Sequence, residues 1–404
     1  MNKNKPLAVS DIKSYLLFKY DNKEDIYCIG SLAKDKYIEV NQNLKDKILT
    51  VISYFDGDNT LDDIKYKLQN KNNIKINIIK LYQLLDKSGL IENSNNSNIE
   101  KNEYEKYGVN ILTLELSKVN NFFYFLSKYI NFIIFTSIII IFMSIPNFIL
   151  ILKQMLYLNI FKIVNSATLS VIISISITTL SVIFHELSHA IVATRFGLKP
   201  RKFKISLYLY LNPIAYIVIP GIYTIERKKR IYIWLSGVCC NLLILSSAIL
   251  LQKITTGVIH NIFMITCYSN LGLIIGNLVP FLPLDGYFVL STLLKIPNLR
   301  KKSFKSFKSF LQFNPKSNSK SKSFKGIYLC YFIVSVIMIL YLIFSQFSQM
   351  YYNFMIGWRI NNNIFDGINE IKIYILVMAI SLYSIIKLRF KNNQKINCKN
   401  TFSD

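Results

Sequence analysis

At 404 residues the chain is long enough for one membrane domain and one small soluble domain. Hydrophobic residues make up 52% of it and the mean hydropathy is +0.32, values that argue against an ordinary soluble enzyme. The formal charge of +25 would suit a nucleic-acid binder, but the basic residues cluster between apolar runs, where membrane orientation needs them, so nucleic acid is excluded as a partner.

The six cysteines (Cys28, Cys239, Cys240, Cys267, Cys330 and Cys398) show neither a CxxC pair nor regular spacing. That argues against a disulfide scaffold and against a cysteine zinc site. The chain opens on a polar stretch, so no cleavable signal peptide is expected. Its Lys/Asn/Ile bias points to an AT-rich bacterial genome.

Residues 1–95 read as a small α+β domain of winged-helix size. "YIEV" (37–40) alternates like a strand, and "NLKDKILTVISYF" carries Leu44, Ile48, Val51 and Ile52 along one helical face. "DGDNT" is a turn ending in an N-cap threonine for "LDDIKYKL". A third helix, "INIIKLYQLLDKSG", stops at Gly89 and runs into a short final strand, "LIE". "NSNNSN" opens a linker that extends over 96–130.

The character changes at Asn131. Candidate spans cover 131–152, 167–193, 231–251, 258–279, 326–345 and 371–388, most reaching the ~20 residues that cross ~30 Å of hydrocarbon. The last is short and needs Lys372 and Lys387 to snorkel. Two further apolar pieces, "ISLYLYLNPIAYIVIPG" and "LDGYFVLSTLL", contain Pro or Asp and read as re-entrant or interfacial. The fold class expected is therefore an α-helical polytopic membrane protein of about six transmembrane helices, with a small N-terminal α+β winged-helix-like domain.

The loops set the orientation. Arg195, Lys199, Arg201, Lys202 and Lys204 follow the second span, and Arg227, Lys228, Lys229 and Arg230 precede the third. The cytosolic loop 295–325 repeats Ser, Phe and Lys without an acidic residue, and the tail 389–404 is basic again. The alternate loops are poor in Lys and Arg. The positive-inside rule then places both termini and every basic loop of this multi-pass cell-membrane protein in the cytosol.

The chemistry concentrates in "SVIFHELSHAIVATRFG". HExxH on a helix stacks His185 and His189 one turn apart on one face, where their imidazoles can share a zinc ion. Glu186 then lies beside a metal-bound water. The alternative is a pair of histidines serving only as interhelical hydrogen-bonding groups, at considerable cost in a membrane. A catalytic zinc wants a third protein ligand. His260 starts the fourth span, about 25 Å of helix from its inner end at Asn277, and suits an interfacial or packing role. Asp285 is the better candidate, because "NLVPFLPLDG" breaks the backbone on the inner side, where such breaks line cavities. An interfacial proline turn capped by this aspartate is the competing reading.

The "HELSHA" span followed by a distant "NLVPFLPLDG" resembles the site-2 protease family of intramembrane zinc metalloproteases over roughly 167–294, within an expected metalloprotease core of 131–294. The resemblance implies His185, His189 and Asp285 as zinc ligands and Glu186 as the catalytic base. "SGVCCN" (236–241) resembles the family's small-residue-then-Asn motif, and Asn277 matches the Asn opening its LDG motif. Asn241 and Asn277 are thereby expected to position substrate. The chain departs from the family in lacking a PDZ-like insertion, in a looser proline pattern around LDG, and in two additional helices over 326–388.

"YFDGDNTLDDIKYKL" with "LYQLLDKSGLIE" resembles the PqqD-like winged helices known as RiPP recognition elements, which bind leader peptides. A cytosolic regulatory domain is the alternative for the same segment. Together the two parts resemble peptide zinc metalloproteases encoded with peptide-modification systems. They imply cleavage of a peptide precursor in the maturation of a ribosomally made peptide, with a modifying enzyme and an exporter as further partners besides the lipid bilayer. The competing functions are a non-catalytic component of peptide export or immunity, and a protease of membrane-anchored regulatory proteins. The N-terminal domain is expected to tether substrate near the zinc through a flexible connection.

Overall fold

The computed structural model describes residues 5–21, 24–72, 76–92, 108–156, 167–208, 212–311 and 322–361, with a few positions beyond. The "NSNNSN" segment and the basic tail lie outside the described residues, as does most of the expected span 371–388.

The N-terminal domain begins with an antiparallel meander of β1 (Ile12–Phe18), β2 (Ile26–Ser31) and β3 (Lys36–Asn41), in which Ile12 faces Ser31 and Ile26 faces Asn41. Helices α1 (Gln42–Ser53), α2 (Leu61–Asn72) and α3 (Ile78–Ser88) follow. The stripe Ile48, Val51 and Ile52 on α1 packs with Ile29 and Ile38 of the sheet and Leu81 and Leu85 of α3 in one core. Each such side chain contributes about 1.5–3 kcal/mol by leaving water.

Local chemistry sets the helix ends. Thr60 and Asp63 form a capping box at the start of α2, the Asp63 amide donating to Thr60 Oγ1 at 3.2 Å and the Thr60 amide to Asp63 Oδ2 at 3.0 Å. Asn77 caps α3 by accepting from the Lys80 amide at 3.0 Å. Gly89 ends α3 in the left-handed region (φ 76°), letting the Leu90 amide turn back to the Leu85 carbonyl. The final "LIE" segment pairs at Ile91 with Ala8, an isolated bridge rather than a full strand.

In the segment expected to be a linker, 96–130, the structure describes Gly108 onward. This stretch forms β4 (Gly108–Glu115) and the short amphipathic helix α4 (Asn120–Lys128). β4 joins β5 (Lys202–Tyr208) and β6 (Asn212–Val218) in a second sheet of order β4-β5-β6, pinned by an ion pair between Lys202 and Glu115 at 2.8 Å. The neighbouring strands β5 and β6 form a ribbon that takes in Tyr208 and Asn212–Val218 of the apolar "YLYLNPIAYIVIPG" piece.

Among the described residues, five helices are long and apolar enough to cross a membrane. They belong to α5 (Ile130–Leu156), α6 (Ala167–Arg195), α7 (Arg227–Lys253), α8 (Gly257–Leu278) and α11 (Lys322–Asn361). The chain is mostly helical with a small N-terminal sheet domain. The last of these helices runs on past the expected end of its span at 345 to Asn361. Between α8 and α11 lie two short helices, α9 (Asp285–Leu293) and α10 (Leu299–Leu311), the latter formed by the start of the basic repeat.

The chain divides into two compact units. The first holds the N-terminal domain and α4 to α8; the second holds one end of the β4–β6 sheet with α9 to α11. In the first unit α7 is the central helix, packed against α5, α6 and α8. Leu245, Ala248 and Ile249 of α7 meet Ile151 of α5 and Met264 and Cys267 of α8. Polar contacts join α6 to α8: Thr178 and Ser269 hydroxyls lie 2.9 Å apart, and Asn270, fully buried, donates to Ser181 Oγ at 3.0 Å. Interhelical hydrogen bonds of this kind replace the hydrophobic drive that lipid removes.

The N-terminal domain docks onto residues on both sides of the β5–β6 ribbon, from Arg201 to the first turn of α7. Arg230, 1% exposed, donates to the Leu17 carbonyl and lies over the Phe18 ring at 4.9 Å. The Gly221 amide donates to Asp35 Oδ1 at 3.1 Å, and Arg201 to the Ala33 carbonyl at 3.2 Å. Gly221 is required here: its φ is +79°, and a Cβ would come within 2.5 Å of Leu32 Cδ1. Burial pushes the Asp35 carboxyl above its ordinary value, against the pull of the Gly221 amide and of Arg201.

Candidate metal centre

Helix α6 carries His185 and His189 on successive turns, with their rings 4.9 Å apart and nearly perpendicular. Both are buried, 3% and 6% exposed. Two imidazoles held this close and this dry are costly in a membrane unless something binds them.

Helix α7 supplies the seat for both rings. His189 Nδ1 lies 2.7 Å from the carbonyl of Ile233. A carbonyl can only accept, so Nδ1 carries the proton and Nε2 keeps its lone pair. Ser236 Oγ, 3.0 Å from the same Nδ1, donates to the same carbonyl at 2.7 Å and buttresses it. The His185 ring lies against Gly237. A Cβ there would sit 2.5 Å from Cε1, 2.7 Å from Cδ2 and closer still to Nε2. Glycine at this position therefore keeps space around the very nitrogen a metal would use. One turn on, Asn241 is fully buried, with its amide 3.0 Å from His185 Nδ1.

Glu186 points the other way, toward the ribbon. The Ile217 amide of β6 donates to its Oε2 at 3.2 Å. The carboxylate is half-buried, held by backbone and adjacent to both histidines along α6.

Asp285 is the first residue of α9 and is half-buried. Asp285, in the second unit, offers a carboxylate, as His185 and His189 in the first offer two imidazoles. Two imidazoles and one carboxylate suit zinc, so the residues present fit the group expected from the sequence. His260 stands outside this set. Its Nδ1 is 3.2 Å from the Gln252 carbonyl and its Nε2 3.1 Å from the Gln252 side chain, a packing role at the far end of α7. Asn277 donates to the Leu273 carbonyl of its own helix at 3.0 Å.

Sequence reasoning missed three parts of this arrangement: the Ile233 carbonyl, the Ser236 hydroxyl and the Ile217 amide. Two are backbone groups and leave no trace in a sequence. For Ser236 and Gly237 the signal was present in "SGVCCN", since Gly237 and Asn241 are four residues apart on one helical face.

A Bacillus subtilis (strain 168) protein described as "Putative peptide zinc metalloprotease protein YydH" is 26% identical to this chain over 117 residues. The chain is similar to a metalloprotease. That match covers 29% of this chain and 46% of the relative, so the chain spans about half the length of the relative it matches. At this level the similarity supports a metalloprotease family and nothing finer. No family model matches the chain, and no solved structure does.

Proposed function

We propose that the protein is an intramembrane zinc metalloprotease of site-2 type that cleaves a peptide precursor, in the maturation of a ribosomally made peptide. The observation that carries this reading is the seating of the HExxH histidines. Both are buried, the Nδ1 of each meets a polar group of α7, and Glu186 lies between them in sequence with its carboxylate held by β6. The similarity to a peptide zinc metalloprotease supports the same chemistry.

In this reading His185, His189 and Asp285 hold the zinc. When bound there, zinc would supply Lewis acidity toward a carbonyl and toward water. Glu186 takes the proton of the attacking water and delivers it to the leaving amine. The Ile217 N–H holds Oε2, which fixes the carboxylate for that proton transfer. β6 is an edge strand of its sheet, so an unwound substrate could add beside it with backbone hydrogen bonds. Asn277 is proposed to contact substrate.

The N-terminal domain is proposed to bind the leader of the precursor. Its β1 side meets the Ile222–Thr224 turn, while β3 is the opposite edge of the sheet and packs near α3. An extended leader could add along β3, with α3 lining its side chains. The basic loops support a cytosolic placement of this domain and of both termini.

The test is zinc content together with processing of the precursor. His185→Ala, His189→Ala and Asp285→Ala should each deplete co-purified zinc. Glu186→Gln should keep the zinc and abolish cleavage, because the base is not a ligand. Normal cleavage by Glu186→Gln would sink the proteolytic mechanism. Cleavage absent from the wild type as well would favour the non-catalytic role in export or immunity.

A further inference from the structure

We infer that Asn241 is a positioning residue for the metal site: its side-chain oxygen accepts the Nδ1 proton of His185 and so turns the Nε2 lone pair toward the metal. This rests on the zinc reading above but assigns Asn241 a role other than the substrate contact that the family resemblance implies. The side chain is 0% exposed, which leaves it no surface for a substrate.

A neutral imidazole carries one N–H, and the nitrogen that ligates a metal cannot be the one that carries it. Metal binding through Nε2 therefore requires a proton on Nδ1 and an acceptor to receive it. For His189 the acceptor is the Ile233 carbonyl, whose role is fixed by its chemistry. For His185 the group 3.0 Å from Nδ1 is the amide of Asn241, which can face it in either of two orientations.

With Nδ2 toward the ring, the amide donates, His185 is protonated on Nε2, and metal is excluded. That orientation also leaves Asn241 Oδ1 buried without a hydrogen-bond partner. A half-turn of the amide places Oδ1 on Nδ1. The histidine then takes the tautomer that His189 already has, and α7 presents one acceptor to each ring. The nearby Gly237 keeps room at Nε2. A serine-supported carbonyl, a glycine and an asparagine, spaced along one helical face, thus fix both ligands from behind. Only Asn241 among them can also adopt the orientation that excludes metal.

The chain contains three histidines, so labelling the full-length protein with 15N-histidine yields three resolvable rings. His185 should report a protonated Nδ1 and a bare Nε2 without any metal added. In Asn241→Leu, which preserves shape but removes the acceptor, the ring should become a mixture of tautomers. Zinc affinity, measured by chelator competition, should fall about 10–100-fold. Asn241→Asp keeps an acceptor oxygen and should stay within a few-fold of wild type. The thermal midpoint of the metal-free protein controls for misfolding. An Nε2-protonated His185 in the wild type would overturn the inference, as would equal zinc loss in the Asp and Leu variants. A wild type with the expected tautomer that binds no zinc would instead overturn the metalloprotease reading on which the inference rests.

Discussion

Replacing Gly237 by alanine adds one methyl group against the His185 ring. The added carbon would sit 2.5 Å from Cε1, whereas ordinary contacts begin near 3.4 Å, so ring and helix must part by about 1 Å. Neither partner moves easily, because His185 is 3% exposed and α7 is packed against α5, α6 and α8. Overpacking of this sort costs about 1–3 kcal/mol. Alanine in place of glycine inside a helix returns about 1 kcal/mol in propensity, so the net loss of stability should be small. The effect on the metal should not be small, since the displaced atom is adjacent to the ligating nitrogen. We expect zinc affinity to fall about 10–100-fold, the range for disturbed support of a metal ligand. Chelator competition on the purified protein measures this, with Gly272→Ala and Gly276→Ala in α8 as controls, because a Cβ at either would meet nothing within 4 Å. Wild-type zinc affinity in Gly237→Ala would refute the claim that this glycine keeps the site open.

Two further outcomes test the N-terminal domain. The Asp56 carboxyl is held below its ordinary value of 3.8, first by the Asp58 amide, which donates at 3.0 Å, and then by Asn59. A lowered folded value means that its stabilisation is complete above pH 3.8 and lost as pH falls through the folded value. Amide exchange at Asp58 and Asn59 should therefore accelerate on acidification below that point, and Asp56→Asn should flatten the dependence. Gly221→Ala places an alanine at φ +79°, a strain of about 1–2 kcal/mol. It should loosen the docked domain, seen as faster exchange over residues 31–35, and unchanged exchange there would contradict the docking contacts described.

Much of this was legible in the sequence because the relevant signals are periodic. The His185–His189 pair, the α1 stripe and the long apolar runs all announce themselves by spacing within one element. The β5–β6 ribbon was visible as a Pro-interrupted apolar piece. What stayed hidden depends on partners distant in the chain. β4 lacks clean alternation, with Ile111 and Leu112 adjacent, and reads as a strand only once β5, some ninety residues later, is beside it. β1 and β2 lack clean alternation, because Leu17–Phe18 and "CIGS" bury consecutive residues. The length of α11 was missed because "QFSQMYYNFMIG" mixes polar and aromatic residues and carries no stop signal before Asn361.

The docking of the N-terminal domain changes what its proposed role requires. A flexible tether raises local substrate concentration, about millimolar for a connection of suitable reach, but leaves orientation to chance. Here the domain is fixed instead. Leu17, Phe18, Ala33 and Asp35 all engage the stretch from Arg201 to Arg230, on both sides of the β5–β6 ribbon. That ribbon carries the Ile217 amide that holds Glu186, and the stretch ends in the first turn of α7, the helix that seats both histidines. A leader bound on the β3 edge would enter from a surface whose position relative to Glu186 is set by packed side chains. The entropy of orienting substrate is then met at the docking step rather than during cleavage. Loosening the interface should accordingly lower turnover as well as raise the apparent Michaelis constant, whereas a simple tether would move the second quantity alone. Gly221→Ala assayed for processing distinguishes these: an effect confined to the Michaelis constant would return the domain to the role of a tether.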